Sequence, residues 1–406
     1  MKILTISSLY PNNKDPKHGI FVETRLRHFR KDYPEVSAVV IAPVPWFPFA
    51  SKKFGEYSKF AGVVDTETRE GVQVYHPKYL VIPKFGMHLT PWFMARSIRK
   101  CIKQLLAKGH TFDVIDGHYF YPDGVAIAKV ATEFSIPFTC TARGTDINLI
   151  PVYPVARQRI TEVFAKAGHL MAVCKALAVE MIALGAPKSK VTVLRNGVDL
   201  ELFKASDELQ KQQLRNELPL PKSGPLLLSV GWLIERKGHY LVIAALAELP
   251  EAQLVIAGNG PDLAELQQLA LKLGVSERVH FVGALAQKQL SQYYQAADAL
   301  ILASSREGWA NVLLEAMASG TAVVATNIWG TPEVVASPES GVLVERSVAD
   351  IANGVRTLLA APPKRSATRT YAEQFTWQQT SAGQYDIFMQ ILRSEKGPIN
   401  TNRDAK

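Results

Sequence analysis

Short apolar runs alternate with longer stretches of mixed polarity along the whole chain. Runs at 2–7, 37–42, 72–76, 114–116, 138–141 and 170–173 read as strands, and so do 191–194, 226–230, 253–257, 279–282, 299–303 and 322–325. Helical patterns fill the gaps, and this alternation predicts parallel sheets with helices on both faces. Two such units follow one another. A polar stretch at 199–224, ending Pro219-Leu220-Pro221-Lys222-Ser223-Gly224, reads as the linker between them. A second break at 360–366, with Pro362-Pro363, precedes a final helical stretch. There is no internal repeat and no low-complexity tract.

Open α/β sheets bind ligands beyond the carboxyl ends of their strands. In the first half those positions hold His18-Gly19, Gly117-His118 and Arg143-Gly144-Thr145-Asp146. In the second they hold the stretch 231–238, Gly258-Asn259-Gly260 and 304–307. Two sheets presenting these polar, glycine-rich edges to one another would form a cleft with a ligand between them.

Composition narrows the class. The chain has 406 residues, 47% hydrophobic and 20% charged, as expected of a soluble protein of two ordinary domains. The apolar start at 1–8 runs straight into Tyr10-Pro11-Asn12-Asn13, a strand and its turn rather than a signal peptide. No segment is long and apolar enough to span a bilayer. Cys101, Cys140 and Cys174 lack metal-ligand spacing and read as buried free thiols, which places the protein in the cytoplasm. A net charge of +9 favours phosphates, nucleic acid or anionic lipid without choosing among them.

Glu307 and Glu315 supply the sharpest chemical signal. They stand eight positions apart across a loop-to-helix junction, where Asn311 opens a helical pattern closed by Gly320. Free backbone N–H groups and a helix dipole make such a junction an anion site. Carboxylates beside it suit hydroxyl-rich ligands, although paired glutamates at a helix start are also common dipole partners. The surrounding string decides between the two. Ser304-Ser305-Arg306-Glu307-Gly308 leads through Glu315-Ala316-Met317-Ala318-Ser319-Gly320 to Gly330-Thr331-Pro332-Glu333. It closely resembles the signature of the family 4 retaining glycosyltransferases.

That resemblance implies the GT-B architecture, an α/β fold of two Rossmann-like, doubly wound domains facing a cleft. An acceptor domain would span 1–200, completed by a C-terminal helix at 368–392, and a nucleotide-sugar donor domain would span 201–367, leaving a flexible tail at 393–406. By resemblance, Glu307 bonds the donor sugar and Glu315 grips the ribose. Asn311, Val312 and Leu313 offer N–H groups to the diphosphate, and Gly258 and Gly260 form the turn beside the nucleotide. Lys237 matches a phosphate-binding lysine of the family. Trp232 stands where the family's arginine usually does, and Arg236 is read as taking over that contact, as a bidentate fork. His118 corresponds to a histidine near the reacting carbon. Arg143 replaces the histidine of the family's H-G-x-D, and Asp146 either receives an acceptor hydroxyl or caps a helix near Ile147. His18 and Gly19 belong to the acceptor side.

The implied chemistry is retaining transfer from a nucleotide diphosphate sugar, with no metal and no further cofactor. The sequence carries no Asp-x-Asp pair and no His/Cys cluster with ligand spacing. Lys237, Arg236 and the helix end would stabilise the leaving diphosphate. A two-carboxylate glycosidase is rejected, because a phosphate cradle would be pointless there. Alternatives are a nucleotide-sugar epimerase of the same architecture, and a basic protein binding membrane or nucleic acid. No nucleic-acid motif is present. The stretch His18-Gly19-Ile20-Phe21-Val22-Glu23 resembles enzymes of bacterial surface-polysaccharide assembly, including teichuronic acid-type transferases, whose acceptors are lipid-linked or carbohydrate. The interleaved aromatics and lysines at 44–60, including Trp46, Phe47, Phe49 and Lys52, suggest peripheral docking at the inner face of an anionic membrane. Helix 91–108 offers the same possibility, but core packing with a solvated basic face explains it better.

Overall fold

The computed structural model describes residues 1–46, 60–82 and 86–395. The chain forms two compact units: residues 1–195 together with the stretch from Trp377 onward, and Asn196–Thr376.

The first unit contains β1 (Lys2–Ile6), β2 (Ser37–Ile41), β3 (Val44–Trp46), β4 (Thr66–Arg69), β5 (Val72–Tyr75), β6 (Lys78–Leu80), β7 (Val114–His118), β8 (Phe138–Ala142), β9 (His169–Ala172) and β10 (Val191–Val193). Eight of these form one sheet in the order β10-β9-β8-β7-β1-β2-β5-β4. All neighbours are parallel except β4, which runs antiparallel along β5. The central strands β7 and β8 are wholly buried, although they carry the polar residues Asp116, His118, Thr139 and Thr141. β4 (TETR) has no apolar residue and is invisible to hydrophobic patterning. β3 and β6 pair separately, with Trp46 opposite Leu80.

The final helix, Trp377–Glu395, packs in this unit against helix Ile20–Asp32. Tyr33 and Tyr385 stack at 4.2 Å, and Phe388 joins Ile3, Phe29, Val114 and Met171 in one buried cluster. Truncating a core aromatic such as Phe388 costs about 3–5 kcal/mol. A polar thread crosses the same interface. Buried Arg25 donates from Nε to Gln384 Oε1 at 2.7 Å, and Gln384 Nε2 donates to Asp116 Oδ2 at 2.9 Å. Helix Thr90–Ala107 turns Met94, Ile98, Cys101, Ile102 and Leu105 into the core. Its apolar face is therefore accounted for by packing. All three cysteines are buried and outside any disulfide.

The second unit holds β11 (Leu226–Val230), β12 (Gln253–Ala257), β13 (Val279–Gly283), β14 (Ala299–Leu302), β15 (Val323–Thr326) and β16 (Gly341–Val344). Its sheet is fully parallel, in the order β13-β12-β11-β14-β15-β16. This is the doubly wound Rossmann order, with the direction of winding reversing between β11 and β14. The stretch read as a linker is largely structured. Asp207 and Gln210 form a reciprocal capping box that starts helix Glu208–Glu217, and Lys211 and Arg215 reach Asp298 at 2.6 and 3.1 Å. Where the pattern suggested one helix over 368–392, two stand: Arg365–Ala372 in this unit and Trp377–Glu395 in the first. Among the described residues no helix is long and apolar enough to cross a membrane.

Candidate functional site

In the second unit the reversal between β11 and β14 places two loops side by side. The loop after β11 closes in a tight turn, Glu235–Lys237, and Gly238 takes φ 70° before helix His239–Ala247. A side chain at Gly238 would meet the Ala303 carbonyl oxygen at 2.1 Å, so only glycine lets the two loops touch. Ser305 N–H then donates to the Arg236 carbonyl at 2.8 Å and ties them together.

Glu307 lies at this junction, buried. Its Oε1 accepts from Lys237 Nζ at 2.6 Å and from Ser304 Oγ at 2.6 Å. Arg236 Nη1 lies 3.8 Å from Oε2 and donates to the Arg306 carbonyl at 2.7 Å. Burial alone would raise the Glu307 pKa, but Lys237 and Arg236 outweigh it and hold the carboxyl below its ordinary value. The site therefore carries two cations against one ionised carboxylate, beside the start of helix Asn311–Ala318. An anion can bind at such a place. At that helix start, Leu313 N–H already donates to the Ala310 carbonyl at 3.0 Å. The Asn311 side chain accepts from Asn196 Nδ2 at 3.2 Å, and Val312 is half-buried.

Glu315, two turns of chain further on, has a different environment. The Tyr294 hydroxyl donates to its Oε2 at 2.9 Å, and among the described residues no cation is paired with it. Desolvation pushes its pKa up to about 7, although part of the side chain still reaches solvent. The two glutamates thus differ: Glu307 is held ionised, while Glu315 is poised near neutrality.

The glycine turn after β12 meets backbone. A Cβ at Gly258 would lie 1.8 Å from the Gly231 carbonyl oxygen, and one at Gly260 would lie 2.2 Å from that of Leu233. Both glycines let the loops after β11 and β12 close on each other.

In the first unit the winding reverses between β1 and β7. His118, at the end of β7, is 1% exposed. Its Nε2 lies 3.2 Å from Asp116 Oδ2, and Arg143 Nη2 lies 2.8 Å from its Nδ1. A guanidinium only donates, so Nδ1 accepts and the proton of the neutral ring sits on Nε2, facing Asp116. Burial, reinforced by Arg143 against the pull of Asp116, lowers the His118 pKa to about 4. Asp146 is fully buried and accepts from the N–H groups of Phe120, Arg143 and Gly144 at 2.9, 3.0 and 2.8 Å. It binds the loops after β7 and β8 together and does not cap helix Thr145–Asn148, which starts at Gly144 with no side-chain cap. His18 Nε2 lies 3.0 Å from the Ser8 carbonyl, and Gly19 starts helix Ile20–Asp32.

Residues 210–375 match the family described as glycosyl transferases group 1, and 56–202 match Glycosyltransferase Family 4. The D-inositol 3-phosphate glycosyltransferase of Xylanimonas cellulosilytica is 31% identical over 304 residues, covering 70% of this chain and 73% of that protein. The chain belongs to the family 4 glycosyltransferases. TuaC of Bacillus subtilis, a candidate teichuronic acid biosynthesis glycosyltransferase, is 28% identical over 87% of this chain and 88% of its own. Anabaena HepE, solved in complex with UDP and glucose, superposes with a TM-score of 0.74 at 21% identity, over 96% of this chain and all (100%) of that one. The fold is the GT-B fold of two Rossmann-like units.

Sequence reading of this glycosyltransferase passed over several residues that shape the site. Ser304 and Tyr294 hold the two glutamates. His239 is buried, with Nδ1 2.9 Å from Ser229 Oγ, and burial and then Lys237 lower its pKa to about 4. Asp123 accepts from the Ser8 hydroxyl at 3.0 Å, and burial raises its pKa to about 7. Ser304 follows a strand directly and had a positional signal. Tyr294 lies inside helix Gln287–Ala296 and had none.

Proposed function

We propose that this glycosyltransferase moves a sugar from a nucleoside diphosphate sugar to a lipid-linked or polysaccharide acceptor in surface-polysaccharide assembly, with retention at the anomeric carbon. The observation that carries the reading is the Lys237–Glu307 pair beside Arg236 at the winding reversal of the second unit. On donor binding, Lys237 and Arg236 turn to the diphosphate. Glu307 is thereby freed to accept from sugar hydroxyls, and Glu315 accepts from the ribose. Asn311 and Val312 offer N–H groups to phosphate, and Gly258 and Gly260 keep the adjacent turn close. The bond from the anomeric carbon to the diphosphate oxygen breaks, and the acceptor oxygen bonds that carbon from the same face. The acceptor proton passes to the departing diphosphate, so no protein base is needed. The cations stabilise the charge that develops on the leaving group. No metal or further cofactor enters this scheme.

His118 would face the donor sugar through Arg143, and His18 and Gly19 would border the acceptor. The relation to TuaC favours a polysaccharide pathway of the teichuronic acid type, with work at the inner face of the membrane as part of the same proposal. Phe47, Phe49 and Lys52, from the aromatic-basic stretch noted in the sequence, lie outside the described residues. Thermal-shift titration with UDP-, GDP- and ADP-glucose tests donor binding, followed by transfer assays on Lys237→Ala and Glu307→Ala. Stabilisation by one donor and loss of transfer in both variants is expected. Full transfer by both variants would sink the site assignment, and an inverted product anomer would sink retention.

A further inference from the structure

The polar thread inside the first unit ends at His118. Arg25, Asp116 and Gln384 are each 2% exposed and stand on helix Ile20–Asp32, on β7 and on the final helix. Arg25 Nε donates to Gln384 Oε1 at 2.7 Å, and its other nitrogens reach the Leu194 carbonyl at 3.4 Å and Met171 Sδ at 3.7 Å. Gln384 Nε2 donates at 2.9 Å to Asp116 Oδ2, across 268 positions of chain. That same oxygen lies 3.2 Å from His118 Nε2, and Arg143 Nη2 closes the row at 2.8 Å from His118 Nδ1.

Each link admits one direction. A guanidinium only donates and an ionised carboxylate only accepts, so the group between Arg25 and Asp116 needs an acceptor at one end and a donor at the other. A neutral amide has both, which turns the Gln384 oxygen toward Arg25. Burial alone would raise the Asp116 pKa, but the bond from His118 and the cations Arg25 and Arg143 hold the carboxyl below its ordinary value. The Thr139 hydroxyl, 3.5 Å from Oδ1, adds only a weak contact. Gln384 and His118 thus meet on one carboxylate oxygen, and the amide sets how that oxygen faces the imidazole. Packing does not call for this row. Ile387, Phe388 and Ile391 of the same helix already fill the core, and buried charges stabilise no better than apolar side chains of similar shape.

We infer that Gln384 is a positioning residue for sugar transfer, setting the His118 ring through Asp116. The inference rests on the role proposed for His118 beside the donor sugar. It gives the final helix a part in the site as well as in the core.

The test reads position and activity separately in the full chain. The Nε2–H proton of His118 faces a carboxylate and should give a downfield nuclear magnetic resonance signal, which Gln384→Met should shift or erase. In that variant kcat for transfer should fall about ten- to a hundredfold, the scale of a small misplacement at a reacting centre, while the thermal shift by UDP keeps its wild-type size. Gln384→Glu keeps an acceptor for Arg25 and sets a second carboxyl against Asp116, so the two acids share a proton. At about pH 6 that proton stands in for the amide hydrogen and transfer, relative to wild type at the same pH, recovers; toward about pH 9 the proton leaves and transfer is lost. Gln384→Met should recover at no pH. Phe388→Leu, on the same helix but off the thread, should lower stability and keep both the signal and kcat.

An unmoved His118 signal in Gln384→Met, equal loss of transfer in Phe388→Leu, or a Gln384→Glu variant indifferent to pH would overturn the inference. His118→Ala separates the two claims. Full transfer by His118→Ala sinks the role given to that ring in the proposed function, whereas loss there with full transfer by Gln384→Met sinks the positioning role alone.

Discussion

Lys237 Nζ donates to Glu307 Oε1 at 2.6 Å, joining residues 70 positions apart on the loops that follow β11 and β14. The carboxylate is buried, and its ionisation depends on that ammonium. Removing one partner of a largely buried pair leaves an uncompensated charge. Lys237→Met should therefore lower unfolding stability by about 2–3 kcal/mol, read by urea denaturation. The double variant Lys237→Met with Glu307→Leu should recover most of that loss while transfer stays abolished. Recovery of transfer would show that the pair serves only the fold.

Glu315 gives a pH prediction of definite sign. Its folded pKa of about 7 lies above the ordinary glutamate value of 4.5. The unfolded chain ionises first, so this contribution is fully present below about pH 4.5 and is lost as pH rises through about 7. Glu315→Gln should remove that slope and stabilise the protein at pH 8 by about 1–3 kcal/mol. If ribose hydroxyls bond the carboxylate, they favour its ionised form. Nucleotide binding should then release protons near pH 7 and tighten as pH rises. Calorimetry in buffers of different ionisation enthalpy reads this, and no proton release would argue against Glu315 as the ribose contact.

Much of this was legible in the chain because the parallel strands are largely apolar runs, and twelve were readable that way. β3, β4, β6 and β16 were not, and β3 and β6 are only three residues each. β4 is a polar edge, and β16 is four residues long and opens on glycine. The helix at 208–217 was hidden by polarity, since no residue of it is buried, although Asp207 and Gln210 carried its capping signal. At the site, Glu307, Glu315 and Lys237 were readable because their spacing along the chain is characteristic. Of their partners, Ser304 stands three positions before Glu307 in the same loop, whereas Tyr294 reaches Glu315 by a contact between elements, which no local pattern encodes. The glycines at 258 and 260 were singled out for the turn beside a nucleotide, and their missing side chains face the loop after β11.

Arg143 and His118 form the departure from the family pattern whose effect is most readily measured. With Nδ1 facing a guanidinium, His118 should stay neutral through the physiological range, and nuclear magnetic resonance should show titration only near pH 4. The unfolded histidine takes up its proton near 6.5, so stability falls as pH drops from about 6.5 toward 4. Arg143→Met removes the nearby cation, raises the His118 pKa and flattens that slope. An unchanged His118 titration in the variant would show that the guanidinium does not set it.

Two glycine substitutions separate close approach from backbone strain. Gly258→Ala would place a methyl group 1.8 Å from the Gly231 carbonyl oxygen, which belongs to backbone and cannot swing away. The loops after β11 and β12 must then part, which costs about 3 kcal/mol or more and shifts Lys237, whose turn begins from the same segment. Gly274 has φ 70° with nothing within 4 Å, so Gly274→Ala meets only the left-handed backbone penalty of about 1–2 kcal/mol. Gly258→Ala should consequently lose donor-induced stabilisation as well as fold stability, while Gly274→Ala keeps its full response to donor. Denaturant titration with and without UDP-glucose reads both quantities at once. Equal losses in the two variants would mean that the contact between the loops after β11 and β12 does not shape the site.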